Sequence, residues 1–184
     1  MSTATKANQK LGFIRRNLRG SPYKLRELSY ITLVRSSLEY CGSIWDPTNS
    51  DEVNRLEMVQ RRAARWARGA HGIISVTKLL RDLNWLDLAD RRRVQRLSLF
   101  YKVLHGDLDI PPQSVDLIRT SGSTRTRRSH QWSLQRASGK DKSSPLWKGT
   151  VLRTLPDWNG LPSKTVEADS ASAFKSQLGR PLRP

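Results

Sequence analysis

The sequence is poor in cysteine, in acidic residues and in long hydrophobic runs. Its one cysteine, Cys41, cannot form a disulfide within the chain, and it cannot build a zinc knuckle, which needs several Cys and His residues. So little cysteine is typical of a reducing, intracellular compartment. No stretch approaches the ~18 apolar residues of a membrane span, and the N-terminus MSTATKANQK lacks the apolar segment of a signal peptide. We therefore expect an intracellular protein with no membrane partner.

The motifs of common enzyme classes are also missing. The sequence has no Gly-rich loop that ends in Gly-Lys-Ser/Thr and no Gly-x-Ser-x-Gly elbow. The histidines His71, His105 and His130 lie beside glycines or in a basic stretch, where capping, loop or phosphate-neighbour roles are typical. Asp87 and Asp90 are accounted for as acids at a helix N-terminus. The residues therefore make no case for catalysis, for a metal site or for a small-molecule substrate.

Positive charge is what the sequence has in excess. Its 184 residues include 33 Lys and Arg against 16 Asp and Glu, a formal net charge of +17. Most of the basic residues are arginine, whose planar guanidinium can bind a phosphate through two hydrogen bonds. Such an excess limits the partners of a protein rather than its fold, and it favours a polyanion, either nucleic acid or an anionic surface. The length of 184 residues suits one domain, or one domain with a tail, and the 36% of hydrophobic residues allows a core over only part of that length.

Helix start and stop signals predict several helices in the first hundred residues and one at the C-terminus. The predicted helices cover residues 5–18, 22 to about 40 or 44, 50–68, 75–83, 88–105 and 170–178. Capping residues or proline stand at their starts, and glycine follows several of their ends. The second half of 88–105 is apolar on nearly every side, which indicates a buried central helix. We expect a mainly α fold, with a helical bundle of about five helices over residues 5–106.

Particular residues are expected in the core or at caps. The inward side of the second helix is expected to carry Leu25, Leu28, Ile31, Val34 and Leu38. Asp87 is expected to cap the long helix over 88–105. Cys41, which lies on an apolar helix, is predicted to be a core residue, as are the tryptophans Trp66, Trp85 and Trp158.

The composition changes after Pro111-Pro112. Residues 119–142 hold seven Arg or Lys against one acid, with many Ser, Thr and Gly, which is typical of a loop or a disordered arm. Short extended pieces are expected near Gln131–Gln135 and Thr150–Leu155, and a turn is expected at Pro156–Gly160. The predicted organisation is a helical domain over 1–106, a basic flexible arm over 107–150, and a C-terminal segment with a short helix over 151–184. The whole tail is expected to be largely irregular.

The helix over residues 50–68 separates apolar from basic positions at ~100° per residue. Its packing arc holds Leu56, Val59, Ala63, Trp66 and Ala67. Its opposite arc holds Arg61, Arg65 and Arg68, with Arg62 on the flank. Two interpretations stay open at this point. The arginine face either contacts a polyanion or is a solvated face, with some of its arginines explained by the preference of cations for helix C-termini.

Six stretches stand in a specific order along the chain. They are LGFIRRNL (11–18), YITLVRSSLEYCGSIWDP (30–47), VNRLEMVQRRAARWARG (53–69), LNWLDLADRRRVQRL (83–97), FYKVLHG (100–106) and PDWNGLPSKTVEADSASAFKSQL (156–178). Together they resemble the C-terminal region of reverse transcriptases from non-LTR (LINE-like) retrotransposons of the jockey and chicken-repeat kind. The resemblance is weakest over 107–150. The chain has Ser36 and Ser43 where the family usually has proline, so a straighter and longer second helix is expected.

The resemblance implies the thumb and downstream region of an RNA-directed DNA polymerase. In that family the catalytic aspartates lie in a Phe/Tyr-x-Asp-Asp motif of the palm, and this chain has no Asp-Asp pair. We therefore expect a truncated element copy or a short gene product without fingers, palm or endonuclease. It is expected to show no polymerase activity alone and to bind no cofactor, because the Mg²⁺ of the family enzyme belongs to the missing palm.

The resemblance also implies partners. They are RNA or an RNA–DNA duplex, held through its backbone, and the palm domain of the full-length polymerase. The residues expected to bind nucleic acid are Arg15, Arg16, Arg61, Arg62, Arg65, Arg68, Arg125, Arg127, Arg128 and His130. Trp132 could stack on a base, although the basic arm around it could equally be a solubilising or localisation segment. The location would be nuclear for an active element. The alternatives are a self-standing basic nucleic-acid-binding protein and a non-functional relic that does not fold without a palm.

Overall fold

The chain is mainly helical, as predicted. A computed structural model describes residues 2–70, 74–108, 117–119, 134–136 and 145–178. Its helices are α1 (Thr3–Asn17), α2 (Tyr23–Ser29), a π-helical segment (Tyr30–Arg35), α3 (Ser36–Glu39), α4 (Gly42–Trp45), α5 (Ser50–Arg68), α6 (Val76–Asp82), α7 (Leu88–Leu104), α8 (Pro145–Asn159), α9 (Ser163–Val166) and α10 (Ala171–Leu178). Two short strands, β1 (Leu117–Arg119) and β2 (Leu134–Arg136), pair antiparallel with Leu117 opposite Arg136.

The chain divides into two compact units. The first unit comprises Met1–Gly42 and Asp46–Arg92, and the second comprises Ser43–Trp45 and Arg93–Pro184. The division therefore falls inside α7, whereas the change in composition placed the end of the helical domain at residue 106. Composition reports where a chain turns polar, but the boundary of a compact unit depends on which residues contact one another.

The first unit is built around α5, whose two ends carry the predicted capping residues. The Asn49 side chain accepts the backbone N–H of Asp51 at 2.8 Å, and Gly69 ends the helix in the left-handed conformation with a φ of 61°. Helix α1 packs against α5 and the π-helical segment, and α2 and α6 also pack against α5. The core contains Leu11, Ile14, Val34, Leu38, Leu56, Val59, Ala63, Leu80, Trp85 and Leu88.

The second predicted helix buries a different face from the expected one. Leu25 and Leu28 are 44% and 56% exposed, so their prediction as core residues is wrong, whereas Val34 and Leu38 are buried as predicted. The π-helical turn is wider than an α-helical turn, and the buried residues Tyr30, Val34 and Leu38 follow one another every four positions. The extra residue in a π-helical turn shifts the phase of the helix, so Leu25 and Leu28 before it do not share a side with Val34 and Leu38 after it.

Cys41 is exposed, which makes its prediction as a core residue wrong. Helix α3 ends at Glu39, and Cys41 adopts the left-handed conformation with a φ of 53°. A left-handed residue breaks the helical path and turns the chain into α4. The second helix therefore ends next to Tyr40, the nearer of its two predicted ends, and does not continue through Ser43.

Helix α7 begins over a buried carboxylate of α5. The Glu57 Oε1 atom accepts the N–H of Ala89 at 2.9 Å. Asp87, the predicted cap, is exposed. The helix N-terminus is therefore capped by Glu57 rather than by Asp87, because a side chain from a neighbouring helix reaches the same N–H groups.

The Glu57 carboxylate predicts a pH dependence of stability. Its burial raises the pKa above the usual 4.5, and this outweighs the opposing effect of the backbone N–H groups at the start of α7. A carboxyl whose pKa is raised on folding contributes most below its unfolded pKa, and this contribution is lost as the pH rises through the folded pKa. We expect Glu57→Gln, which stays neutral, to match the wild type near pH 4 and to be more stable at pH 7.

Urea unfolding followed by circular dichroism at several pH values measures this difference. Glu52→Gln is the matched control, because Glu52 is an exposed acid in the first turn of the same helix. Its loss should lower stability at neutral pH, since an acid at a helix N-terminus is favourable. A Glu57→Gln difference that stays flat from pH 4 to 7 would contradict the raised pKa.

The second unit has an aromatic core. Trp158 and Phe174 are fully buried, and Trp158 meets the ring of Phe100 edge-on with centroids 5.3 Å apart. Phe174 stacks on Tyr101 at 4.5 Å. Ser170 caps α10 as predicted, since its Oγ accepts the N–H of Ala173 at 3.2 Å. The helices of this unit are therefore held by a shared hydrophobic core.

Residues 145–159 correct the prediction of an irregular tail. They form α8, so the extended piece expected at Thr150–Leu155 and the turn expected at Pro156–Gly160 are wrong. The helix puts Val151, Leu155 and Trp158 on one buried face, a spacing that a strand cannot provide. Burial of this face outweighs the hydrogen bond that Pro156 removes.

The short strand pair lies in the segment predicted as an arm. β2 overlaps the extended piece expected near Gln131–Gln135. The side-chain amide of Asn159 makes two hydrogen bonds with the backbone of Leu134. Its Nδ2 donates to the Leu134 carbonyl at 2.9 Å, and its Oδ1 accepts the Leu134 N–H at 3.0 Å. Most of residues 109–144 otherwise lie outside the described part of the chain.

Candidate nucleic-acid interface

The outer face of α5 is exposed and rich in arginine, as its periodicity predicts. Arg61, Arg62, Arg65 and Arg68 are all exposed. The opposite side is buried through Leu56, Val59, Ala63, Ala64 and Ala67. The exposed acids of the helix stand in its first turn, so the half that carries these arginines presents no negative charge of its own. We call these four residues the arginine face.

The four side chains of the arginine face differ in what holds them. Arg62 donates to Asn8 Oδ1 at 3.2 Å. Arg68 donates to the Asp82 carbonyl at 2.9 Å, and its guanidinium lies 5.1 Å from the centre of the Tyr23 ring. The side chains of Arg61 and Arg65 make no hydrogen bond or ion pair with any residue that the structure describes. Arg61 and Arg65 therefore have guanidinium groups available for an external anion.

A second run of arginines, near the start of α7, forms ion pairs within the protein. Its ion pairs are Arg91–Glu39, Arg92–Asp46 (Nε to Oδ1 2.6 Å), Arg93–Asp157 (3.0 Å) and Arg96–Asp157 (3.0 Å). The sequence does not reveal this pairing, because the acids lie 46 to 64 positions away along the chain. These arginines hold the fold together and are poor candidates for binding phosphate.

Another group of arginines lines a surface groove of about 460 Å³ in the first unit. Its lining residues are Gly12, Arg15, Arg16, Arg19, Gly20, Arg26 and Trp66, and we call it the arginine groove. It brings together the predicted Arg15 and Arg16. Sequence reasoning missed Arg19 and Arg26, although the repeated arginines around the end of α1 were a usable signal. Trp66 is half-buried at the groove, so its prediction as a plain core residue is only partly right.

The other predicted site residues are placed as follows. His105 is exposed at the end of α7, where its Nδ1 lies 3.0 Å from the Tyr101 carbonyl and its ring stacks on the Tyr101 ring, in keeping with a helix-end role. The residues that lie outside the described part of the chain are His71, Arg125, Arg127, Arg128, His130 and Trp132. Within the described ranges, no group of His, Cys, Asp and Glu is arranged to hold a metal ion.

The described helices include none that is both long enough and apolar enough to cross a membrane. Comparison of the chain with protein-family models, with curated proteins and with solved structures gives no match. Its function is therefore inferred from the geometry of its own residues and from the sequence resemblance.

Proposed function

We propose that this chain binds the sugar-phosphate backbone of nucleic acid without sequence preference, as the thumb-like C-terminal part of a non-LTR retrotransposon reverse transcriptase. The observation that carries the proposal is the pair Arg61 and Arg65, which are exposed and have no partner among the described residues. Guanidinium groups bind phosphate strongly, and such contacts supply affinity and register but no choice of sequence.

The rigidity of α5 supports this role. The helix is capped at both ends and packed against α1, α2 and α6, so the positions of its arginines are set by the fold. Arg61 and Arg65 lie about 6 Å apart along the helix axis, at the usual rise of 1.5 Å per residue. Each guanidinium can therefore reach a phosphate of its own. The partner class we propose is RNA or an RNA–DNA duplex.

The polymerase context has its own support. The first unit exposes the apolar side chains of Leu25 and Leu28 on α2 and of Leu33 on the π-helical segment. Exposed large apolar side chains are candidates for a contact site, and a palm domain would cover these in a full-length enzyme. A genomic reading frame for a palm directly upstream tests this context. A coding sequence without one favours a self-standing nucleic-acid-binding protein.

The double substitution Arg61→Gln/Arg65→Gln is expected to weaken duplex binding equally on unrelated sequences. The slope of log affinity against log salt should become shallower by about 1.8, because each lost phosphate contact removes about 0.9 on a DNA duplex. Fluorescence anisotropy with labelled duplexes over a salt series measures both effects. Substitution of Arg62 or Arg68 is less clean, because these side chains also make contacts within the fold.

Lys6→Gln/Lys10→Gln is the matched control for this pair. Both lysines are exposed on α1, and the change in net charge is the same. We expect the control to retain most of the wild-type slope. Equal slopes for the wild type and the Arg61→Gln/Arg65→Gln variant would refute a direct role of this face.

A further inference from the structure

We infer that the arginine groove binds a phosphate of single-stranded nucleic acid while the adjoining base lies against Trp66. This inference rests on the proposed function, to which it adds a second and separate contact. The groove differs from the arginine face in its concave shape and in its aromatic residue. We infer that it binds a single strand, whereas the arginine face binds a duplex.

The charge of the groove comes from two neighbouring elements. Arg15 and Arg16 stand in the last turn of α1, Arg19 follows that helix, and Arg26 lies on α2. The residues that line the groove include no acid. Like charges around a concave surface focus the electrostatic potential, so an anion is drawn into the groove rather than to one side chain.

Arg26 is held in place before any ligand arrives. Its Nη1 atom donates to the backbone carbonyl of Trp66 at 3.3 Å, which joins α2 to the C-terminal end of α5. A side chain that is already ordered loses less conformational entropy when it binds an anion. The same contact places Arg26 beside Trp66, the residue that we infer receives the base.

Gly12 is the least expected residue of the groove. It lies inside α1, where glycine is less stable than alanine. A Cβ atom at this position would meet only the end of the Arg16 side chain, Nη1, at an ordinary contact distance of 3.5 Å. Neither the backbone conformation nor the packing of the fold therefore requires glycine. The missing side chain leaves the groove open at the helix backbone, which allows close approach of a ligand.

Trp66 favours a single strand over a duplex. This residue is half-buried and lines the groove beside the arginines. In a duplex the bases are stacked on one another, whereas the unstacked bases of a single strand can lie on an aromatic ring. Because every base has such a face, this contact discriminates strand form and not sequence.

The first test fills the groove. We expect Gly12→Leu to bind an oligothymidylate of about 12 nucleotides roughly tenfold more weakly than the wild type, by fluorescence anisotropy at low salt. Its affinity for a duplex should stay within about twofold, and its thermal unfolding midpoint should not fall, since leucine is a better helix former than glycine. Gly12→Ala is the control, and it should keep single-strand binding. Wild-type single-strand affinity in Gly12→Leu would overturn the inference.

The second test removes charge without filling space. Arg16→Gln/Arg19→Gln should reduce the salt slope for the single strand by about 1.4, at about 0.7 per phosphate contact. Lys6→Gln/Lys10→Gln makes the same change in charge on α1 outside the groove. Equal loss in the two variants would mean that only total charge matters and would overturn the site.

The two proposals can fail separately. In one outcome, Arg61→Gln/Arg65→Gln leaves duplex binding unchanged while the groove variants lose single-strand binding. That result would refute duplex binding by the arginine face and support single-strand binding by the arginine groove. If the groove variants bind the single strand with wild-type affinity, single-strand binding by the arginine groove is refuted, whatever the result for the duplex.

Discussion

Replacement of Asp46 by alanine is expected to lower the free energy of unfolding by about 3–5 kcal/mol, because it leaves a buried guanidinium without its counter-charge. The side chain of Arg92 is only 1% exposed, and its Nε lies 2.6 Å from Asp46 Oδ1. Burial lowers the pKa of Arg92, and the carboxylates of Glu57 and Glu39 act in the opposite direction. Arg92 Nη2 is already buried without a hydrogen-bond partner among the described residues, so no spare acceptor stands ready.

Denaturant unfolding followed by circular dichroism measures this loss. The double variant Asp46→Ala/Arg92→Leu should recover much of it, because replacement of both charges removes the unpaired ion rather than creating one. Glu39→Ala is the comparison at a more exposed pair, since its partner Arg91 is 29% exposed, and a loss of about 1 kcal/mol is expected there. An Asp46→Ala midpoint equal to that of the wild type would show that the pair does not stabilise the first unit.

Trp158→Ala is expected to destabilise the second unit by about 3–5 kcal/mol, the range for truncation of a large buried aromatic residue. Trp158 is fully buried, and its ring lies 5.3 Å from that of Phe100 and 5.8 Å from that of Phe174, measured between centroids. The substitution removes apolar burial and leaves a cavity among residues of α7, α8 and α10. Amide hydrogen exchange should show the loss of protection in these helices, because local unfolding reports the stability of a single unit.

Leu152→Ala is the matched control for Trp158→Ala. Leu152 lies on the same helix but is 49% exposed, so its loss should change stability by no more than about 0.5 kcal/mol. Similar effects of the two substitutions would mean that α8 is not packed through the side that carries Trp158.

The separation of α5 into a buried and a basic side could be read from the sequence. A cap at Asn49, a glycine after Arg68 and a 3.6-residue period all act within a few turns of one helix. Interactions of such short range do not need the rest of the fold. The buried polar residues on the same helix, Glu57 and Gln60, could not be foreseen, because their partners are the start of α7 and the hydroxyl of Tyr30.

The face of the second helix illustrates why the remaining predictions were wrong. A regular period assigned Leu25 and Leu28 to the core, but the chain adopts a π-helical segment that buries Tyr30. The Tyr30 hydroxyl donates to Gln60 at 3.1 Å, and its ring stacks on Trp85 at 4.5 Å. Contacts with residues distant in sequence therefore outweighed the local hydrophobic pattern. In α8, burial of one helix face likewise outweighed the turn signal at Pro156.

By itself the sequence determined the helical class, the large positive charge and the exposed side of α5, because capping, periodicity and composition depend on near neighbours or on none. Only the tertiary structure decided which arginines remain available to bind an external anion. It pairs Arg92 with Asp46, leaves Arg61 and Arg65 without a partner in the described chain, and gathers Arg16 and Arg26 into one groove. The physical reason is that a charge is neutralised by what lies near it in space, and packing alone brings together residues tens of positions apart.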